Sequence, residues 1–237
     1  MNIIQVNDYE EMSQEAAKVM LNTVQEKSHP VLGLATGSTP ERLYELLTKA
    51  HQEDQVTFGH VQTFNLDEYI GLSKDDEQSY HYFMNEKLMG NIDIPNNQVH
   101  IPNGLVTDLE AECVAYEKKI QQAGNIDLQL LGLGMNGHIG FNEPGTSFDA
   151  RTHIVQLDAS TREANARFFE NEADVPTQAI TMGIGTILEA KQILLIVHGE
   201  KKADILRRVV SGEVTEDIPA TALQRHDNVT IITDIDL

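Results

Sequence analysis

Short apolar runs rich in Val, Ile and Leu alternate along the chain with amphipathic stretches of helical length. The runs are Ile3–Val6, Val31–Ala35, Val61–Phe64, Gln98–Ile101, Ile126–Leu133, His153–Leu157, Gln192–Val197 and Val229–Ile232. Helical periodicity fills the intervals at about 8–27, 40–50, 77–89, 108–122, 160–170, 184–190 and 200–211. Strand–helix alternation repeated this often predicts an α/β fold with an open, mostly parallel sheet and helices on both faces. Leu128–Leu133 and Ile193–Val197 are continuous apolar rather than alternating, as strands covered on both faces are. No internal repeat, low-complexity tract or long Pro/Gly/Ser linker divides the sequence, so one domain over 1–237 is expected. In such a sheet ligands collect beyond the carboxyl ends of strands, and three strand ends here carry unusual sequence.

Charge narrows the partners. The 237 residues include 17 Lys and Arg against 37 Asp and Glu, a formal net charge of −20. That balance argues against nucleic acid and anionic membranes, which need a cationic face. No apolar run approaches the roughly 18 residues of a membrane span, and Met1-Asn2-Ile3-Ile4-Gln5 lacks the pattern of a signal peptide. The single cysteine, Cys113, lies in a helical pattern, reads as a small buried hydrophobe and suits a reducing compartment. The expectation is a soluble, cytoplasmic protein.

The first unusual strand end is Thr36-Gly37-Ser38-Thr39-Pro40-Glu41 after Val31–Ala35. Thr39 reads as an N-cap, Pro40 as the first helical residue, and Glu41 as a complement to the helix dipole. Thr36, Gly37, Ser38 and Thr39 would then present amides and hydroxyls to a phosphate. A well-capped turn without a ligand explains the same residues equally well, and the Gly-Lys-Ser/Thr ending of a nucleoside-triphosphate loop is missing. The second strand end is Asn65-Leu66-Asp67-Glu68-Tyr69, where Asp67 is placed as a general base. An acidic surface turn is the plainer alternative.

The third runs from Leu131 to Gly145. Gly132, Gly134 and Gly137 satisfy the spacing of a dinucleotide fingerprint, but Gly140, Pro144 and Gly145 forbid the helix that must follow it. What remains is a glycine-rich loop that gathers Asn136, His138 and Glu143. Histidine shuttles protons near neutrality, and a carboxylate within reach orients it and favours its cation. The nine histidines form no His-Glu-x-x-His or His-x-His, there is no cysteine pair, and no Gly-x-Ser-x-Gly elbow occurs. These motifs leave acid–base chemistry without a metal as the expectation.

Together the three motifs resemble those of the glucosamine-6-phosphate deaminase family. The matching pieces are Leu-Ala-Thr-Gly-Ser-Thr-Pro at 34–40, Phe-Asn-Leu-Asp-Glu-Tyr at 64–69 and Gly-His-Ile-Gly-Phe-Asn-Glu-Pro-Gly at 137–145. Ala-Asn-Ala-Arg-Phe-Phe at 164–169 and Gly-Glu-Lys-Lys-Ala at 199–203 extend the match through nearly the whole chain. The resemblance implies a modified Rossmann-type sheet and conversion of glucosamine 6-phosphate and water to fructose 6-phosphate and ammonia, with no cofactor. It implies that Asp67 transfers the proton between C2 and C1. His138, positioned by Glu143 and Asn136, would open the sugar ring. The 36–39 loop, Gly137, Arg167 and Lys202 would hold the substrate, and a lid would lie within 146–185. A 6-phosphogluconolactonase-like hydrolase and a silent sugar-phosphate sensor are the competing readings.

Two departures matter. Many members of that family carry Asp where this chain has Asn136, leaving Glu143 as the charged partner of His138. Members activated by N-acetylglucosamine 6-phosphate carry basic residues shortly after the third motif and a longer C-terminal extension. Here that stretch offers His153 and Val155, and the sequence stops at Leu237. The expectation is a monomer or small homo-oligomer with no such allosteric site.

Overall fold

The computed structural model describes residues 1–157 and 175–237. Its strands are β1 (Asn2–Gln5), β2 (Val31–Leu34), β3 (Gln62–Asn65), β4 (Asp67–Tyr69), β5 (Val99–His100), β6 (Leu128–Gly132), β7 (His153–Gln156), β8 (Gln178–Thr181), β9 (Ile193–Val197) and β10 (Val229–Thr233). The helices are α1 (Tyr9–Glu26), α2 (Glu41–Gln52), α3 (Tyr80–Lys87), α4 (Leu109–Gln122), α5 (Ile184–Leu188) and α6 (Ala203–Ser211). Seven strands form one sheet in the order β1-β10-β9-β6-β2-β3-β5, and every neighbouring pair is parallel. β2, β9 and β10 are buried along their whole length; β2 and β9 carry no polar side chain, as strands covered on both faces expect, while β10 also buries Thr230 and Thr233.

The helices are specified locally. Asp8 caps α1 by accepting from Glu11 N at 2.9 Å, while the Glu11 carboxylate accepts from Asn7 N at 2.8 Å. Asp108 caps α4 through Ala111 N at 2.9 Å, and Ser79 caps α3 through Tyr82 N at 3.0 Å. Met12, Ala16, Met20 and Val24 recur every four residues along α1 and are all fully buried.

Two expectations and one alternative reading need correction. Thr39 is not the cap of α2: the helix begins one residue later, Pro40 occupies the N-cap place, and no cap side chain bonds the first turn there. The run at 153–157 does not join the parallel sheet. As β7 it belongs to a separate antiparallel sheet, ordered β4-β8-β7. Asp67 and Glu68 are buried residues of β4, paired with Thr181 and Ile180 of β8, and not a surface turn. A strand reading Asp-Glu-Tyr has no apolar alternation to announce it. Beneath the small sheet Tyr69, Phe141, Leu157 and Ala179 form a satellite core beside the glycine-rich loop. The expected lid at 146–185 therefore includes β7, β8 and the start of α5. Its central part, with Arg167 and the 164–169 piece, lies outside the described residues.

Candidate active site

The loop after β2 turns at Gly37, whose φ of +103° belongs to the left-handed region that glycine adopts without strain. Its carbonyls face inward: Tyr44 Oη donates to Ala35 O at 2.5 Å, and Tyr9 Oη shares its proton between Ser38 O and Thr39 O, each at 3.1 Å. Gly37 and Ser38 are exposed, Thr36 and Thr39 half-buried. No described residue accepts from the amides of Gly37, Ser38 or Thr39. A set of outward N–H groups ahead of a helix is suited to an anion.

Lys202 closes a short 3-10 turn, Glu200–Lys202, after β9. Its side chain is half-buried, and no carboxylate among the described residues pairs with it. Burial holds the ammonium below the ordinary lysine range. Desolvating a cation without a partner is unfavourable, so this position is one that an incoming anion would relieve.

Asp67 is 7% exposed. Burial, and then the charge of neighbouring Glu68, push its carboxyl up to about 8 from an ordinary 3.8. Glu68 is immobilised, accepting from Tyr69 N at 2.8 Å, from Tyr80 N and His81 N at 3.0 Å, and bonding His81 Nδ1 at 2.8 Å. It thus caps the N-terminal end of α3 and fixes β4 against it.

The glycine-rich loop supplies the second titratable group. Gly134 allows a close approach here: a β-carbon at 134 would lie 2.3–2.4 Å from the His138 ring. Asn136 Nδ2 donates to Glu143 Oε2 at 2.7 Å, and its Oδ1 lies 2.7 Å from His138 Nδ1 and accepts from His138 N at 3.1 Å. Because the carboxylate fixes which end of the amide is the donor, Oδ1 faces the ring. The ring nitrogen opposite must then carry the proton. In the neutral ring Nε2 is left as the basic atom. Glu143 Oε2 stands 3.5 Å from Nδ1, within ion-pair reach once the ring is protonated.

Strand β8 brings the two groups together. Thr181, paired with Asp67, accepts from Phe141 N at 3.1 Å, and Asn142 Nδ2 donates to Met182 O at 2.9 Å. A β-carbon on Gly140 would lie 3.6 Å from Asp67 Oδ2, so the loop rests against that carboxyl. Gly137 is buried, donating to Gly134 O at 3.1 Å and accepting from Ala220 N at 2.9 Å. Tyr80, which no sequence signal singled out, ties three motifs together. Its hydroxyl meets the side chains of Thr36 and Tyr69, and its ring stacks on Phe141 at 6.1 Å. Among the described residues no group of three His, Cys, Asp or Glu side chains could hold a metal ion. Nor is any described helix long and apolar enough to cross a membrane.

Residues 7–232 match the family described as glucosamine-6-phosphate isomerases/6-phosphogluconolactonase. The chain is 56% identical to the glucosamine-6-phosphate deaminase of Oceanobacillus iheyensis over 234 residues, 99% of this chain and 94% of the relative. It belongs to the glucosamine-6-phosphate deaminase family. Another deaminase of that family, glucosamine-6-phosphate deaminase 1 of Bacillus subtilis, is 50% identical over 99% of this chain and 97% of its own. The solved structure of a monomeric glucosamine-6-phosphate deaminase superposes with a TM-score of 0.96 at 50% identity, covering 98% of this chain and 97% of that one. The 6-phosphogluconolactonase of Thermotoga maritima, at 22% identity and a TM-score of 0.77 over 98% of both chains, shares the deaminase fold.

Proposed function

We propose that this protein converts glucosamine 6-phosphate and water to fructose 6-phosphate and ammonia. The observation that carries the reading is the seating of the Asn136–His138–Glu143 loop against Asp67, through Thr181 and Gly140. One group is then placed for oxygen protons and the other for carbon protons. Family membership at this identity supports the same reaction.

The phosphate sits on the amides of Gly37, Ser38 and Thr39 and draws Lys202, with Arg167 added by family resemblance. His138 Nε2 removes the proton of the anomeric hydroxyl and delivers one to the ring oxygen, breaking the C1–O5 bond to give the open aldehyde. The imidazolium formed in passing is held between Asn136 Oδ1 and the Glu143 carboxylate. Asp67 then takes the C2 proton while the C1 carbonyl oxygen gains one from the substrate's own ammonium, leaving an enol-amine, and Asp67 returns its proton to C1. The product is the C2 imine, to which water adds and from which ammonia leaves, giving the ketone. A base held near 8 is stronger than an ordinary carboxylate, and its working anion becomes more abundant as pH rises towards 8.

The monomeric state of the solved relative supports a monomer here. Arg151, the cation nearest the expected effector position, is bound to Glu117 at 2.6 Å and to Glu189 at 2.7 Å. His153 Nδ1 bonds Arg151 O at 2.7 Å. Those commitments support the absence of an N-acetylglucosamine 6-phosphate site. The test of the activity is direct: incubation with glucosamine 6-phosphate should release ammonia and fructose 6-phosphate in equal amounts. Release of acid from 6-phosphogluconolactone with no ammonia from the amino sugar would overturn the assignment.

A further inference from the structure

The phosphate grip proposed above is divided between two loops, one after β2 and one after β9, and β6 separates these strands in the sheet. A divided grip works only if its halves keep a fixed spacing, since a misplaced donor loses most of its hydrogen bond. A second set of contacts spans that gap without using the catalytic loop. Tyr9, at the start of α1, holds the carbonyls of Ser38 and Thr39 through its hydroxyl, which also accepts from Arg42 N at 3.3 Å. The Tyr9 ring lies against the His198 ring, with centroids 4.9 Å apart. His198 Nδ1 is 2.6 Å from Asp234 Oδ2, and the other oxygen of that carboxylate accepts from Gly199 N at 3.0 Å. Gly199 has a φ of +95°, and its carbonyl accepts from Lys202 N at 3.0 Å, closing the turn that presents the lysine. One unbroken path therefore runs from the 36–39 loop through Tyr9, His198 and Asp234 to Lys202.

We infer that Tyr9, His198 and Asp234 are positioning residues that brace the two halves of the phosphate grip at a fixed spacing. The inference rests on the grip being where the phosphate binds. Asp234 makes two directed hydrogen bonds, one to the ring and one to the backbone at the reversal. The brace is thus stiff at the lysine end. At the other end the Tyr9 hydroxyl turns two carbonyls away from the ligand and leaves the amides facing it.

The test is steady-state kinetics with glucosamine 6-phosphate, together with competitive inhibition by inorganic phosphate. Both are run on the wild type and on Lys202→Ala, His198→Ala, His198→Asn, Asp234→Asn and Tyr9→Phe, with thermal midpoints alongside. Lys202→Ala should raise KM and the phosphate inhibition constant by about tenfold or more, as loss of a charge-assisted contact does. His198→Ala, Asp234→Asn and Tyr9→Phe should raise both constants by about three- to tenfold with kcat within about twofold, the pattern of lost binding rather than lost chemistry. His198→Asn places an amide nitrogen where Nδ1 stood and should recover most of the loss. If Lys202→Ala weakens phosphate binding and the three brace variants do not, the brace is wrong and the grip stands. If the brace variants depress kcat and thermal midpoint without moving the phosphate constant, their role is merely structural. An unchanged phosphate constant in Lys202→Ala overturns the grip, and the brace with it.

Discussion

Asp67 should be a liability to the fold for the reason that suits it to the proposed role of base, and replacing it separates the two. Asp67→Asn keeps the side-chain shape, removes the ionisable proton and is expected to abolish turnover. In the wild type the carboxyl titrates near 8 when folded against 3.8 in the open chain. The sign follows from linkage: the folded state holds the proton more tightly, so stability is complete below about pH 4, erodes as pH rises and levels off past about 8. At 1.36 kcal/mol per pH unit the interval from 3.8 to 7 bounds the penalty at about 4 kcal/mol at pH 7. Local relaxation and water entry reduce this, and about 1–3 kcal/mol is the expected gain for Asp67→Asn at neutral pH. For a chain of this size each kcal/mol moves Tm by about 2–4 °C. Thermal unfolding of both proteins from pH 4 to 9 should show curves that coincide near pH 4 and diverge steadily to about pH 8. A variant no more stable than wild type at pH 8, or a gain independent of pH, would refute the assignment of a desolvated carboxylate at this position.

Three further outcomes follow from the site. Asn136→Asp adds a negative charge 2.7 Å from His138 Nδ1; the variant should stay active, with the histidine limb of its pH–rate profile moved to higher pH, and an unchanged profile would remove residue 136 from ring opening. Gly134→Ala forces a β-carbon to 2.3–2.4 Å from the His138 ring; kcat/KM should fall by about tenfold or more with little change in phosphate inhibition, since displacement of a proton-transfer group affects chemistry before binding. With Arg151 already paired to Glu117 and Glu189, rate against substrate should be hyperbolic and indifferent to N-acetylglucosamine 6-phosphate; sigmoidal kinetics relieved by that compound would contradict this.

The parallel sheet was legible because burial on both faces favours uninterrupted apolar runs, and β2 and β9 carry them. The small antiparallel sheet was not. Its edge strand β4 is Asp-Glu-Tyr, whose two acids are buried, Glu68 against the N-terminal end of α3, so its pattern imitates a solvated turn. Asn136, His138 and Glu143 could be grouped because eight consecutive positions of one loop contain them. Which histidine nitrogen carries the proton depends on an amide orientation that only the bond to Glu143 reveals. Tyr9, Tyr80 and His198 act through partners 11 or more residues away and through ring contacts, and nothing near them in sequence announces either. Thr39 shows the converse, a residue type favoured at helix caps whose side chain does not cap.

The strand order has a kinetic consequence. The segments holding residues 36–39, 67, 138 and 202 follow β2, β3, β6 and β9, which are neighbours in space though scattered along the chain. Parallel neighbours of this kind can pair only across long crossovers, so their contacts form late and slowly in folding. On the proposed roles no early intermediate can own part of the activity, because half a sheet presents the proposed base without the phosphate grip or the grip without the base. Recovery of turnover after dilution from denaturant should therefore lag the return of helical signal, and ammonia release becomes a clock for the last strand to dock.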